Sequence, residues 1–342
     1  LNGEMPLIEK DFLPQCIGSD SDFKFPTRTV LSAKNNIDWN TRIDPFGLVN
    51  IPMTYDKRKN LTYNTMYFDI KWGQGIEAKT ILEKYIDTLM VMMRNKVVLD
   101  DGDLSKTEVT WFYPISMSPN RQTDLRQIWD DSYKKYFNPS GKTTAVTESS
   151  APVKAFYETD PSASQIVSVD IGGGTTDMAI SKKKGEVSYV TSFRFATNDL
   201  FETPYSKVNN RSGIIDYFKS EFRTILDKDV FKELLSIFDN EDNQDPANMA
   251  SFLFSLKENS LITKNDVNIR SIDFSYCLQK DPYFKVVFLI YYSAIIYHMA
   301  KIIKVANKGK SEEDLFVPRH ITFSGNGSKI INTLTPDIPG VL

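Results

Sequence analysis

Apolar positions follow two different spacings along this chain. Between residues 78 and 95 they recur every three to four residues, which predicts an amphipathic helix over roughly residues 76–96. Around residues 166–180, two short apolar runs rich in β-branched residues flank three glycines, which predicts two strands joined by a tight turn. From residue 213 to about residue 281 the spacing is mainly helical. This mixture of strands and helices predicts an α/β fold.

The most hydrophobic run covers residues 286–300 and reads VVFLIYYSAIIYHMA. A helix needs about 20 apolar residues to cross a bilayer. This run is shorter, and it is bounded by Lys285, Lys301 and Lys304. We therefore expect a central buried helix here and no membrane span.

The length of 342 residues is enough for two lobes that each have a hydrophobic core. We expect a first lobe over residues 1–160 and a second over residues 161–342, with residues 213–281 as a mainly helical subdomain inserted into the second. The 41 basic and 44 acidic residues give a net charge of -3. Such a balance leaves no electrostatic footprint for nucleic acid or an anionic membrane, so neither is expected as a partner.

Cysteine and histidine usage excludes several kinds of site. Cys16 and Cys277 lie far apart in sequence and lack the spacing of a disulfide framework or a zinc site, which favours a cytoplasmic location. His298 and His320 have no companions at ligand spacing, so catalysis by histidine is not expected.

The segment at residues 167–177 reads VSVDIGGGTTD and carries the strongest chemical signal in the chain. Because glycines lack Cβ atoms, Gly172, Gly173 and Gly174 can adopt positive φ and let successive N–H groups converge on phosphate oxygens. Thr175 and Thr176 add hydroxyl donors. The pattern predicts a phosphate-binding turn. The alternative is an ordinary glycine-rich hairpin with solvated aspartates.

Two carboxylates, those of Asp170 and Asp177, bracket the glycines. They cannot favour a bare polyphosphate unless a cation lies between, and Mg²⁺ bound partly through its own waters is the natural candidate. No lysine follows the glycines as in a Walker loop, and no third spaced glycine opens a Rossmann helix. Because the turn joins two strands, a different nucleotide-binding fold is expected.

The wording DIGGGTTD at residues 170–177 resembles the second phosphate motif of the actin, heat-shock chaperone and sugar kinase superfamily, and is closest to the DnaK-like chaperones. Three further segments follow in the order of that family. Residues 108–136 are similar to its strand, proline-containing turn and amphipathic helix. Residues 147–157 resemble a helix start, and residues 320–330 resemble the adenosine motif. Four ordered matches are more specific than any one.

The resemblance implies a two-lobed actin-like ATPase fold with ribonuclease H-like cores that binds ATP or ADP with Mg²⁺ between the lobes. Gly172, Gly173, Gly174, Thr175 and Thr176 would hold the phosphates, and Gly325, Asn326, Gly327 and Ser328 would lie at the adenosine side. Asp170 and Asp177 would serve the hydrated metal, and Asp170 or Glu148 would orient the attacking water. In the pattern alone, Thr147 with Ser150 is a plausible helix cap, Glu148 a first-turn carboxylate, and Asn326 or Ser328 a cap for a helix over residues 329–334.

One family feature has no counterpart in the sequence, namely the first phosphate motif, an aspartate-glycine-threonine hairpin. The nearest string is IGSDSD at residues 17–22, and residues 25–32 resemble the segment that follows the motif. The simplest explanation is that the chain is an excerpt of a longer protein. True loss of one donor cradle would remove several kcal/mol of transition-state stabilisation and leave ATP binding with little hydrolysis.

The resemblance leaves three uses for the nucleotide. A DnaK-like chaperone domain would couple lobe closure to nucleotide state and to a protein client. An actin-like filament or scaffold protein would self-associate with weak or no ATPase activity, and a small-molecule kinase would transfer the γ-phosphate. The sequences of residues 147–152 and 172–177 argue weakly against the kinase.

Overall fold

The structure is a computed structural model. It describes residues 29–34, 38, 46–50, 64–67, 70–73, 75–201, 213–242, 246–265 and 267–334. The chain divides into two compact units. The first comprises the described residues of Leu1–Tyr113 together with Met117–Val146, and the second comprises Pro114–Ser116 with the described residues of Thr147–Leu342. The strings at residues 17–22 and 25–28 lie outside the described part.

The first unit contains two small sheets and two long helices. Strand β1 (Thr29–Lys34) pairs antiparallel with β2 (Phe46–Asn50) and with β3 (Asn64–Tyr67). Strands β4 (Thr110–Tyr113) and β5 (Thr144–Thr147) form a separate pair. Helix α1 spans Gly75–Leu99, which confirms the helix predicted there, and α2 spans Pro119–Tyr136. The core between them includes the stacked rings of Trp111 and Trp129, whose centroids are 5.5 Å apart.

The second unit is built on a four-stranded sheet in the order β8-β7-β6-β9. Strands β6 (Ile166–Ile171), β7 (Thr176–Ser181) and β8 (Tyr189–Phe193) form an antiparallel meander, and β9 (His320–Ser324) pairs parallel with β6. A meander followed by a fourth strand parallel to the first is the arrangement expected of a ribonuclease H-like core. The predicted α/β class is therefore confirmed, with that topology in the second unit.

Helices fill the long connection between β8 and β9. Helix α3 (Ala151–Thr159) precedes the sheet. The helices between β8 and β9 are α4 (Thr197–Phe201), α5 (Ile214–Leu226), α6 (Lys232–Asp242), α7 (Pro246–Ser255), α8 (Ser260–Lys264), α9 (Ile269–Ile272), α10 (Phe274–Lys280) and α11 (Pro282–Ala306). Helix α12 (Ile331–Leu334) follows β9. The buried ring of Phe274 holds this helical region together, because it contacts the rings of Phe201, Phe218, Phe222 and Phe254.

Helix α11 differs from its prediction as a central buried helix. It buries one face through Phe284, Phe288, Tyr291, Ile295, Met299 and Ile302. The opposite face is exposed, with Leu289 and Ile290 each 64% accessible. By length and composition the helix could cross a membrane, with a mean hydropathy of 1.7 in its most apolar window. The prediction was wrong because hydropathy does not report whether another element covers each face of a helix.

Candidate functional site

The predicted phosphate turn forms the tip of the β6–β7 hairpin. Ile171 faces Thr176 in the strand register, so residues 172–175 make a four-residue tip. The N–H of Gly172 donates to the carbonyl oxygen of Thr175 at 2.9 Å and closes the turn. Thr176, which was predicted to belong to the tip, is the first residue of β7.

The carbonyl groups of the tip are held by the start of α4. The carbonyl oxygen of Gly172 accepts from the N–H of Thr197 at 3.2 Å and from its hydroxyl at 2.9 Å. The carbonyl oxygen of Gly173 accepts from the N–H of Asn198 at 2.8 Å. Two successive peptide groups are therefore oriented with their oxygens toward α4.

The amide groups of the tip remain open. Among the described residues no acceptor is found for the N–H groups of Gly173, Gly174 and Thr175. Gly173 and Gly174 are exposed, and Thr175 is partly exposed. Successive main-chain N–H groups in a turn make an anion-binding concavity, because their partial positive charges add at one point. The tip thus has open donors, while the carbonyl oxygens of Gly172, Gly173 and Thr175 are hydrogen-bonded.

Two of the three glycines of the tip lie in crowded positions, and none of the three has a left-handed backbone. Within the described ranges, positive φ occurs at Gly325 and three other glycines but at none of the tip, so the expectation of positive φ there is wrong. A Cβ on Gly172 would lie 3.1 Å from the carbonyl oxygen of Thr175, and one on Gly173 would lie 3.3 Å from Oδ1 of Asn198. A Cβ on Gly174 would meet no atom within 4 Å. The fold therefore does not require Gly174, whose missing side chain leaves the approach to the amides clear.

The two threonines have different environments. Thr176 is fully buried, and its hydroxyl donates to the carbonyl oxygen of Phe195 at 2.6 Å. That hydroxyl holds β7 against the segment before α4. Thr175 is partly exposed, and its hydroxyl lies 3.3 Å from Oδ2 of Asp177. Of the two hydroxyls, that of Thr175 is the one at the open tip.

The two aspartates lie directly opposite each other across the hairpin. Side chains of an antiparallel pair share one face of the sheet, with Cβ atoms about 5 Å apart. Asp177 is buried with 3% of its surface exposed, whereas Asp170 is half-buried at the end of β6. In the part of the chain that the structure describes, no group of three or more histidine, cysteine or carboxylate side chains could hold a metal ion. The donor set fits Mg²⁺, which is commonly held by one or two carboxylates while phosphate and water oxygens complete its shell.

The predicted adenosine turn lies against the hairpin. Because β9 runs parallel to β6, both loops leave the sheet at the same edge. Gly325 has a φ of +81°, and a Cβ there would lie 2.3 Å from Oδ1 of Asp170. A Cβ on Gly327 would lie 2.0 Å from Oγ1 of Thr197 and 2.6 Å from the carbonyl oxygen of Gly172. The structure thus brings together two glycine turns that are about 150 residues apart in sequence, a meeting of loops typical of strand carboxyl ends.

The turn after Gly325 begins with a 3₁₀ helix over Asn326–Ile330, earlier than the predicted start at residue 329. Gly325 is its N-cap, and no side chain caps it, so the expected caps by Asn326 or Ser328 are wrong. The Ser328 hydroxyl instead donates to the carbonyl oxygen of Gly325 at 2.7 Å. Ser328 is buried, Asn326 is partly exposed, and the hydroxyl of Tyr292 donates to the carbonyl oxygen of Ser328 at 3.3 Å.

Glu148 lies in the turn between β5 and α3 and is partly exposed. Helix α3 begins at Ala151 with Ser150 as N-cap, and the Ser150 side chain makes no capping bond. The carbonyl oxygen of Thr147 accepts from the N–H of Ser150 at 3.1 Å. The interpretation of Glu148 as a first-turn carboxylate is therefore wrong, since it precedes the helix. Its role in orienting water stays a prediction.

The first turn of α4 contacts the hairpin tip but was not predicted from the sequence to belong to the site. Asp199 accepts from the N–H of Ala196 through Oδ2 at 2.8 Å, and burial raises the pKa of this carboxyl group. Tyr291 packs on Phe195 with ring centroids 5.2 Å apart, and burial raises the pKa of its phenol far above the usual range. The signal was the string TND at residues 197–199 after an apolar pair, which is typical of a helix start.

A cavity of about 510 Å³ lies in the helical region and is not lined by any predicted site residue. Tyr276 on its wall has Arg270 and Lys280 over its ring, at 5.9 and 5.5 Å from the centroid. Cys277 is beside them, and burial raises the pKa of its thiol to about 11. A thiol with a raised pKa is mostly protonated at neutral pH, and the protonated form is a weaker nucleophile than the thiolate.

The chain is similar in fold to several solved structures. One is MreB5 of Spiroplasma citri bound to ADP, which is 13% identical, with 88% of this chain and 77% of that chain covered and a TM-score of 0.43. A second is the MamK double helical filament, also 13% identical, covering 88% and 79% with a TM-score of 0.43. A third is the ethanolamine utilization protein EutJ from Carboxydothermus hydrogenoformans, 11% identical, covering 79% and 70% with a TM-score of 0.36.

No protein-family model matches the chain, and no curated protein matches it in sequence. Likeness as distant as that to MreB5, MamK and EutJ concerns the fold alone. That the chain is closest to the DnaK-like chaperones stays a prediction. The chemistry of the tip is argued from its own contacts.

Proposed function

We propose that this chain is an actin-like nucleotide-binding protein that binds Mg-ATP and Mg-ADP at the tip of the β6–β7 hairpin. The observation that carries the proposal is the orientation of the tip. The carbonyl oxygens of Gly172 and Gly173 are held by Thr197 and Asn198, so the N–H groups of Gly173 and Gly174 face away from α4. These two N–H groups and that of Thr175 have no acceptor among the described residues. Such a tip is built to receive an anion before any anion arrives.

The neighbouring groups favour a metal-bound polyphosphate over a simple anion. Asp170 and Asp177 share one face of the hairpin beside the amides. They would repel a bare phosphate, but with Mg²⁺ between them and the phosphates they would become ligands or water acceptors. The Gly325 turn, which touches Asp170, would lie at the adenosine side of the same ligand.

Hydrolysis would need a water in line with the γ-phosphate. In our proposal Asp170 or Glu148 orients this water, and Mg²⁺ supplies charge neutralisation when bound. Only if a second phosphate cradle opposite the hairpin were truly missing would hydrolysis be slow while binding persists. The first test below therefore measures nucleotide binding and not turnover.

The test is a thermal unfolding experiment with millimolar Mg-ATP. A ligand that binds only the folded state stabilises it by about 2.7 kcal/mol at one hundred times its Kd, so a rise in Tm is expected. Asp170→Ala should remove most of that rise. Asp229→Ala is the matched control, since Asp229 is an exposed carboxylate at a 3₁₀ turn in the helical region. No rise with the wild-type chain, or an equal rise in all three proteins, would refute the proposal.

The use of the nucleotide is a finer question, and a second measurement separates the three candidates. An actin-like filament protein would pellet in the ultracentrifuge with ATP alone. A DnaK-like domain would remain in solution, with turnover that responds to an unfolded client protein. A kinase would transfer labelled γ-phosphate to a small acceptor such as a sugar. Each outcome presupposes nucleotide binding, so all three depend on the first test.

A further inference from the structure

An exposed apolar surface covers one side of helix α11. We call it the outer face of α11 and define it by Tyr283, Val286, Leu289, Ile290, Ile296, Tyr297 and Val305, each between 49% and 69% accessible. Single exposed apolar residues are normal in proteins, but a contiguous surface of several large ones marks an interaction site. Nucleotide binding at the hairpin makes no use of this surface.

The helix is firmly attached to its own unit through the opposite side. Oδ1 of Asp281 caps it by accepting from the N–H of Phe284 at 2.7 Å. At the margin of the buried side, the ring of His298, which is exposed, has its centroid 4.2 Å from that of Phe193, and the hydroxyl of Tyr292 donates to the carbonyl oxygen of Ser328. A helix crossing a bilayer would have to leave these contacts. The geometry points instead to a helix that lies flat, with its outer face presented as a ridge.

Charge along the helix is of one sign. Five lysines and no acidic residue lie between Pro282 and Lys310. Lys285 is near the start, while Lys301, Lys304, Lys308 and Lys310 follow the apolar section. Lys301 also lies over the ring of Tyr297, with Nζ 5.1 Å from the centroid. The nearest acidic residues in the sequence are Asp281, which is the N-cap of the helix, and residues 312–314, which follow it.

We propose that the outer face of α11 docks this chain onto an anionic lipid surface. A 25-residue helix is about 37 Å long, so in the plane of a membrane it would press its apolar ridge into the headgroup region. The lysines at its end would meet acidic headgroups, which supplies the second signal that stable membrane attachment requires. Tyrosines suit the boundary between headgroups and acyl chains, because their rings are apolar and their hydroxyls polar.

A second copy of the chain is a poorer occupant of this surface. Two α11 helices packed antiparallel would bring Lys285 of one copy toward Lys301 of the other, and like charges across an interface are unfavourable. The expectation of no membrane partner came from the net charge of -3, which averages over the whole chain. The local charge of this helix has the opposite sign.

Vesicle sedimentation with the full chain tests the proposal. We expect the wild-type chain to pellet with vesicles made of equal parts phosphatidylglycerol and phosphatidylcholine, and far less with phosphatidylcholine alone. The double variant Leu289→Ser with Ile290→Ser should weaken binding by about tenfold or more, because it removes two inserting side chains. Replacing Lys301 and Lys304 by alanine should weaken it by a similar factor and reduce its salt dependence.

The matched control is the double variant Val230→Ser with Ile269→Ser, which removes two exposed apolar side chains elsewhere in the same unit. It should bind vesicles like the wild-type chain. Equal loss in both double variants, or no binding by the wild-type chain to anionic vesicles, overturns the proposal. So does a wild-type oligomer in sedimentation velocity that the Leu289 and Ile290 variant dissociates, since the surface would then be an interface between copies.

Discussion

The hairpin tip and the outer face of α11 are both surfaces that the second unit leaves open, but they are open in opposite chemical senses. At the tip, three main-chain N–H groups have no acceptor among the described residues, while the carbonyl oxygens of Gly172, Gly173 and Thr175 are hydrogen-bonded. On α11, large apolar side chains stand in water on a helix whose inner face is fully packed. Open N–H donors favour the binding of an anion, whereas exposed apolar side chains favour burial against another apolar surface. Two open surfaces of opposite chemical character thus lie within a single compact unit.

The largest expected effect separates the two faces of α11. Phe288→Ala removes a buried ring and should lower the free energy of unfolding by about 3–5 kcal/mol. Leu289→Ala, one position further, should change it by less than about 0.5 kcal/mol, since that side chain is exposed. Urea denaturation measures both. A large loss for Leu289→Ala would mean that something already covers the outer face.

A second prediction concerns the contact between the two glycine turns. Gly327→Ala places a methyl group against Thr197 and Gly172, and overpacking of this kind costs about 1–3 kcal/mol. Gly174→Ala is the matched substitution, because its methyl group meets nothing within 4 Å. Its effect on urea denaturation should be near zero. Equal losses in the two variants would show that the turns do not pack as described.

Gly174→Val sharpens the case for the tip as a ligand site. The unliganded variant should melt at nearly the wild-type temperature, because the added side chain points into open space. It should nevertheless lose roughly 1–2 kcal/mol of the stabilisation by Mg-ATP, because the valine would crowd ligand that approaches the amides. Thermal unfolding with and without nucleotide gives both values. A full nucleotide response in this variant would place the phosphates elsewhere.

The smallest expected effect is a pH dependence at the start of α4. Burial raises the pKa of Asp199 above its ordinary value of 3.8, so the folded state disfavours the charged form. Its contribution to stability is therefore greatest below pH 3.8 and declines as pH rises through the folded pKa. Asp199→Asn keeps an acceptor for the N–H of Ala196 but does not titrate. The stability of the wild-type chain relative to this variant should fall as pH rises above about 4, and a constant or rising difference in pH-dependent urea denaturation would contradict the assignment.

The local elements of the tip could be predicted from the sequence. The β-branched residues around Val167 and the glycines that follow could form little except strand and turn, and the structure places β6, the tip and β7 there. Helix α1 could be predicted for a similar reason, because its apolar stripe repeats at one spacing. In both segments the information lies within about twenty residues.

The features that could not be predicted depend on contacts between residues that are far apart in the sequence. Nothing near Thr197 shows that its N–H and hydroxyl hold Gly172, 25 residues earlier. The role of glycine at the tip was also misread, since crowding against Thr175 and Asn198 is a tertiary effect. The hydropathy of α11 does not distinguish a central helix from a surface helix. The two differ in how many other elements of the fold pack against the helix.

Helix α4 has a mechanical consequence. Its first residue, Thr197, holds the hairpin tip, and its last residue, Phe201, packs against Phe254 and Phe274 in the helical region. Five residues of helix span about 7.5 Å. This short helix links the tip carbonyls to the aromatic cluster around Phe274, so we expect a displacement of the tip to disturb the packing of that cluster.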